Sequence, residues 1–155
     1  MSAAVVRGLI VLGAVLVLGA VNFSIQGKEH IKAHGELIYL ELAPVDPRSL
    51  MQGDYMALRF TIAASIDVSQ RSGNTVALKV DERRVASVAP AAATGTLRMR
   101  YRVRGGRVWL GTNAFFFEEG SAARFAPARY GEFRTNPDSG EAVLVGLRDG
   151  SFRKL

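Results

Sequence analysis

The chain of 155 residues contains no cysteine. That excludes a disulfide framework, a thiolate metal site and a cysteine nucleophile. Histidine is nearly absent, with only His30 and His34. They stand four apart, on one face if the segment is helical, which is metal-ligand spacing. Without a third ligand evident in the sequence, the simpler reading is two solvated helix residues. Lysine is scarce as well: sixteen of the 20 basic residues are arginine, spread from Arg7 to Arg153. A net charge of +6 distributed this way argues against a nucleic-acid patch. It leaves a solvated arginine surface or attraction to anionic lipid headgroups. No Gly-x-Ser-x-Gly elbow, His-Glu-x-x-His pair or phosphate-binding loop occurs. Ser49-Leu50-Met51 before Gly53-Asp54 is a loose echo of a Ser/Lys peptidase, but the only lysine inside the domain is Lys79, Lys154 standing at the very end. No cofactor is implied.

Charge is missing altogether from Gly8 to Gly27. Twenty residues of helix span about 30 Å, the thickness of a bilayer's hydrocarbon core. The run Leu9–Leu18 has none of the polar stripe a soluble amphipathic helix requires. Residues 1–27 are therefore expected to be an uncleaved transmembrane anchor. A cleaved signal peptide is the rival, but Leu18 stands where a cleavage site needs a small residue. Basic residues on the two sides nearly balance; the short leader with Arg7 favours the amino terminus inside. Residues 28–35 form a polar juxtamembrane segment that can prolong the helix to a stop at Gly35.

Residues 36–155 are expected to be an extracytoplasmic β domain. Leu37–Leu42 and Tyr55–Ile62 read as strands, separated by a loop with an Asp46-Pro47 turn. Val76, Leu78 and Val80 alternate, and Asp81–Arg84 suits a hairpin to Val85–Val88. Residues 90–94 read as a linker-like bend. In Leu97–Arg104 apolar and arginine residues alternate strictly over eight positions, so one face is buried and one wet. Gly105-Gly106 then signals a tight hairpin to Arg107–Gly111. Phe115–Phe117 closes an apolar strand, residues 118–128 can hold a short helix, and Gly131–Arg134 and Ala142–Leu147 read as closing strands. The expected fold class is mainly β: a small antiparallel barrel or sandwich with a short helix, behind one N-terminal transmembrane helix.

The run Gly53-Asp54-Tyr55-Met56-Ala57-Leu58-Arg59-Phe60 resembles the signature of the GDYXXLXY protein family of bacterial membrane-associated proteins. It matches at Gly53, Asp54, Tyr55 and Leu58; Phe60 keeps the ring of the signature's final Tyr and loses its hydroxyl. Residues 42–52, 116–120 and 128–134 also resemble the family. The resemblance implies a single membrane helix, a domain on the periplasmic side of the inner membrane and a multi-pass membrane protein as partner. It supplies no activity.

Two groups of residues are candidates for a site. Asp46, Arg48, Gly53, Asp54 and Tyr55 can converge in an exposed loop and bind a partner or polar ligand. The structural alternative gives Gly53 and Asp54 to a turn and Met56, Leu58 and Phe60 to the core. The second group is Glu118, Glu119, Arg129, Tyr130 and Arg134. Adjacent glutamates on a strand diverge, so a buried Glu–Arg pair fixing a loop is expected of them rather than acid–base chemistry. Three functional readings follow. One is a non-enzymatic accessory subunit of a cell-envelope membrane complex, held in the bilayer by residues 8–27. The others are a sensing module using the Asp46–Tyr55 loop, and a hydrolase of unrecognised type.

Overall fold

A computed structural model describes residues 2–43, 51–52, 55–68, 73–90 and 96–155. Helix α1 runs from Ala3 to His34, with Ser2 capping its start through Oγ to the Val5 N–H. It passes through residues 28–34 without a break. Its most apolar 18-residue window is entirely unburied by the rest of the chain. Only Ile31 is buried, at 4% exposure.

The strands are β1 (Glu36–Glu41), β2 (Met51–Gln52), β3 (Tyr55–Ala57), β4 (Thr75–Val80) and β5 (Ala86–Val88). They continue with β6 (Leu97–Arg104), β7 (Arg107–Leu110), β8 (Ala114–Phe116), β9 (Ala128–Thr135) and β10 (Ala142–Asp149). Among the described residues two single-turn helices interrupt them, α2 (Thr61–Ala64) and α3 (Ala122–Phe125). Strands outweigh helix, 40% to 30%, and the sheet curls into a half-barrel. Its three sections are ordered β1-β9-β10, β2-β3-β8 and β5-β4-β6-β7, with antiparallel neighbours throughout.

Strand β1 stitches the sections together. Tyr39 bridges to Val85 in a parallel contact, and Leu42 bridges to Phe60. The core lies inside the curl, where Ile38, Leu40, Val76, Leu78, Met99, Phe133 and Leu147 are fully buried. Each such side chain contributes roughly 1.5–3 kcal/mol of transfer free energy. Local chemistry sets the turns. Gly105 and Gly106 have φ of 54° and 72°, the paired positive values a two-residue hairpin requires. Asp81 closes the β4–β5 turn by accepting from the N–H groups of Arg83 and Val85.

The strand expected over residues 55–62 is shorter than the sequence suggests. It ends at Ala57, where Leu58 N–H turns to the Asn113 carbonyl, and α2 begins at Thr61. Alternation persists without the ladder, so Met56, Leu58 and Phe60 are all buried. The expected alternation of β6 also fails at one end: Val103 is 45% exposed, because the inner face has run past the core.

Gly35 stops α1, though not by adopting a left-handed cap; its φ is −62° and its ψ 156°. Space is what demands glycine. A Cβ there would be driven into the Ile31 carbonyl oxygen and would lie 3.0 Å from the Thr135 carbonyl oxygen. The helix thus turns into β1 with no linker. Arg134 Nη1 donates to the Gly35 carbonyl at 3.0 Å, Thr135 Oγ1 donates to the Glu36 carbonyl at 3.2 Å, and Lys28 pairs with Glu141.

Candidate functional site

Of the motif residues, Asp46, Arg48, Gly53 and Asp54 lie outside the described residues, as does the Asp46-Pro47 turn. Tyr55 is described. It opposes Phe116 in the β3–β8 pair, and the two rings sit 5.7 Å apart. Further along the motif, Phe60 meets Phe133 edge-on at 5.3 Å. A Cβ on Gly131 would come within 2.8 Å of the Phe60 ring, so the missing side chain of β9 makes the room that Phe60 fills. That packing needs an aromatic ring and explains why the ring is kept where the hydroxyl is not.

A groove of about 700 Å³ opens alongside this stretch, between Ala57–Phe60, α2 and the edge strand β7. Leu58, Phe60, Ile66 and Leu110 give it apolar walls; Arg59 and Arg107 bring charge to it.

The second group does not converge as expected. Glu118 and Glu119 are exposed, and neither forms an ion pair among the described residues. Glu118 instead accepts, through its carbonyl, from the N–H and hydroxyl of Ser121 at the start of α3. Arg129 is exposed, while Arg134 serves the junction at Gly35. Only Tyr130 joins a cluster.

The buried Glu–Arg pair exists, but it is Glu132 with Arg148. Glu132 is 7% exposed on the outer face of β1-β9-β10, and Arg148 Nε donates to its Oε2 at 2.6 Å. Arg148 Nη1 also donates to the Phe152 carbonyl at 3.2 Å. The hydrogen bond to Glu132 raises the Arg148 pKa, against the opposing effect of desolvation. Three rings roof the pair. Phe152, at φ 62°, stacks on Tyr130 at 4.6 Å and tilts against Tyr39 at 5.2 Å.

Asp149 shapes the turn that carries Phe152. Its carboxylate accepts from the N–H groups of Ser151 and Arg153 at 2.8 and 3.0 Å, and from Arg153 Nε at 2.9 Å. The backbone bond from Arg153 leads the effects that hold the Asp149 pKa below its usual value. Sequence reasoning missed Glu132, Arg148, Tyr39 and Phe152. The one available signal was Tyr130, Glu132 and Arg134 at every second position of a strand, which puts a carboxylate between an aromatic and a cation on one face.

His30 and His34 stack with ring centroids 4.7 Å apart. Among the described residues no group of three His, Asp or Glu side chains is arranged to hold a metal. The Glu132–Arg148 cluster is internally satisfied. Its chemistry is that of a fixed, roofed ion pair, and its effect is to tie the C-terminal turn to β9.

The chain matches no curated protein and no solved structure. The family described as GDYXXLXY protein matches residues 17–147, from the middle of α1 through β10 to Leu147. With most of its length inside that match, the chain belongs to the GDYXXLXY protein family.

Proposed function

We propose that this protein is a membrane-anchored, non-enzymatic accessory subunit of a bacterial cell-envelope membrane complex. Its β domain lies on the periplasmic side of the inner membrane, and its partner is a multi-pass membrane protein. The observation that carries the reading is α1: a helix long and apolar enough to cross a bilayer, unburied over its apolar window, and joined to the sheet without a linker. An anchored head searches a plane rather than a volume, which raises its effective concentration for a partner. Added Cβ atoms at Gly8, Gly13 and Gly19 would meet nothing within 4 Å, so these positions offer close approach to another helix.

Affinity isolation of the full-length protein in a mild detergent tests this reading. A stoichiometric multi-pass protein should accompany it. Recovery of the chain alone from every detergent counts against the subunit. Since the native chain has no cysteine, a single cysteine at Pro137 reports orientation. It should react with an impermeant maleimide in spheroplasts.

The groove favours a second reading, a binding module. It borders the motif, and Arg59 and Arg107 suit an anion with an apolar body. Native mass spectrometry of the purified protein should then retain a small molecule that Ala64→Trp, at the groove wall, displaces.

A further inference from the structure

The outer face of β5-β4-β6-β7 is unlike the rest of the surface. Arg98, Arg100, Arg102 and Arg104 project from it at every second position of β6, and all four are exposed. The β7 partner of Arg104 is Arg107, and that of Arg102 is Trp109. Residues directly opposite in an antiparallel pair share a face, so Trp109 stands in the arginine row. The Arg104 guanidinium lies 5.6 Å from its ring centre. The described strands contribute no carboxylate to this face. None of these five arginines forms an ion pair among the described residues.

The middle of the row is tied to a defined point on α1. Lys28 is the first charged residue after the uncharged span of α1. It pairs with Glu141, and the adjacent Gly140 carbonyl accepts from the Arg100 N–H at 2.6 Å. Three consecutive links therefore tie the middle of β6 to the end of the apolar helix. Burial first, and then the positive charges of Arg102 and Arg100, lower the Lys28 pKa.

We propose that Arg98, Arg100, Arg102 and Arg104, with Trp109, form a stripe that rests on the bilayer surface and binds anionic lipid headgroups. This rests on reading α1 as a membrane anchor. Arginine offers a planar fork that bonds phosphate oxygens in pairs, and tryptophan settles at the headgroup level. An unpaired row of five cations is poorly explained as a stabilising surface, because neighbouring like charges repel. At the height where the helix leaves hydrocarbon, the negative headgroup layer supplies the missing counter-charge. The linker-free turn at Gly35 couples that contact to the orientation of the head.

Trp109 is the only tryptophan, so its fluorescence reads the contact directly. The full-length protein is placed in nanodiscs of phosphatidylcholine alone, or of equal parts phosphatidylcholine and phosphatidylglycerol, each carrying a headgroup-level spin-labelled lipid quencher. Trp109 should be quenched, with blue-shifted emission, in the anionic discs and much less in the neutral ones. The double variant Arg100→Gln/Arg102→Gln should lose that difference, and so should the wild type in high salt, with inorganic phosphate doing no more than chloride at each matched ionic strength. Equal or absent quenching in the two discs, or a double variant that behaves as wild type, overturns the stripe and leaves the row to an acidic protein surface. Selective loss in phosphate overturns the lipid assignment in favour of a free anion. Failure of the protein to enter either disc would instead sink the anchor reading, an outcome read separately by co-elution with the disc.

Discussion

Two outer sheet faces of this half-barrel carry charge on the same alternating plan and use it differently. On β1-β9-β10 the charges are opposite, close and roofed: Glu132 meets Arg148 at 2.6 Å beneath Tyr39, Tyr130 and Phe152. On β5-β4-β6-β7 they are alike, exposed and unpaired among the described residues. A roofed pair of opposite charges is costly to break from one side. An exposed row of like charges adds little to folding. The first face is built for the protein's own structure, and the second is left available to something outside it.

The inner face of β9, common background to both, gives the largest expected effect. Phe133 is fully buried, edge-on to Phe60, and its ring occupies the space left by Gly111 and Gly131. Phe133→Ala should cost about 3–5 kcal/mol in urea denaturation of the detergent-solubilised protein. A loss below about 1 kcal/mol would mean that the half-barrel does not close around this ring.

Glu132→Ala comes next. It leaves the Arg148 guanidinium half-buried with only the Phe152 carbonyl for a partner. Breaking a buried pair from one side costs about 3 kcal/mol. Replacing both, as Glu132→Leu with Arg148→Met, should recover much of that loss. A double variant as unstable as the single one would show that the pair holds the face rather than merely tolerating burial.

This pair also marks the limit of what the chain discloses before folding. Alternation in β4 and β6, the glycine hairpin and the uninterrupted apolar helix depend on neighbours in sequence, and these are legible. The early end of β3 depends on Leu58 reaching the Asn113 carbonyl, and the roof over Glu132 depends on Phe152 returning from the C-terminal turn. Neither leaves a local periodicity. Adjacent Glu118 and Glu119 are visible as a pair in sequence, yet the buried, paired carboxylate is the single Glu132. The link from β6 to α1 is equally hidden, since it passes through Glu141 and Gly140.

Acid should loosen the first face before the second. The Asp149 pKa is depressed in the folded state. Its contribution is therefore complete above the unfolded carboxylate pKa and disappears as pH falls through the lower, folded one. The protection factors of the Ser151 and Arg153 amides, corrected for the intrinsic pH dependence of exchange, should fall over that acid window, with Phe152 leaving Tyr130. Asp149→Asn should remove the pH dependence. Protection that is flat through the window in the wild type would mean that the carboxylate charge does not hold this turn.

The smallest effect sharpens the comparison most. Arg100→Gln/Arg102→Gln removes two charges from exposed positions that pair with nothing among the described residues. Its change in folding stability should stay within about 0.5 kcal/mol, of either sign. Relief of repulsion along β6 and around Lys28 tends to stabilise, while lost packing of the arginine stems tends to destabilise. A cost of 2 kcal/mol or more, on the order of that expected for a buried pair, would mean that the row is structural after all. The two faces would then differ in appearance and not in purpose. A neutral result, with Trp109 still able to report on lipid, separates charge kept for folding from charge kept for contact.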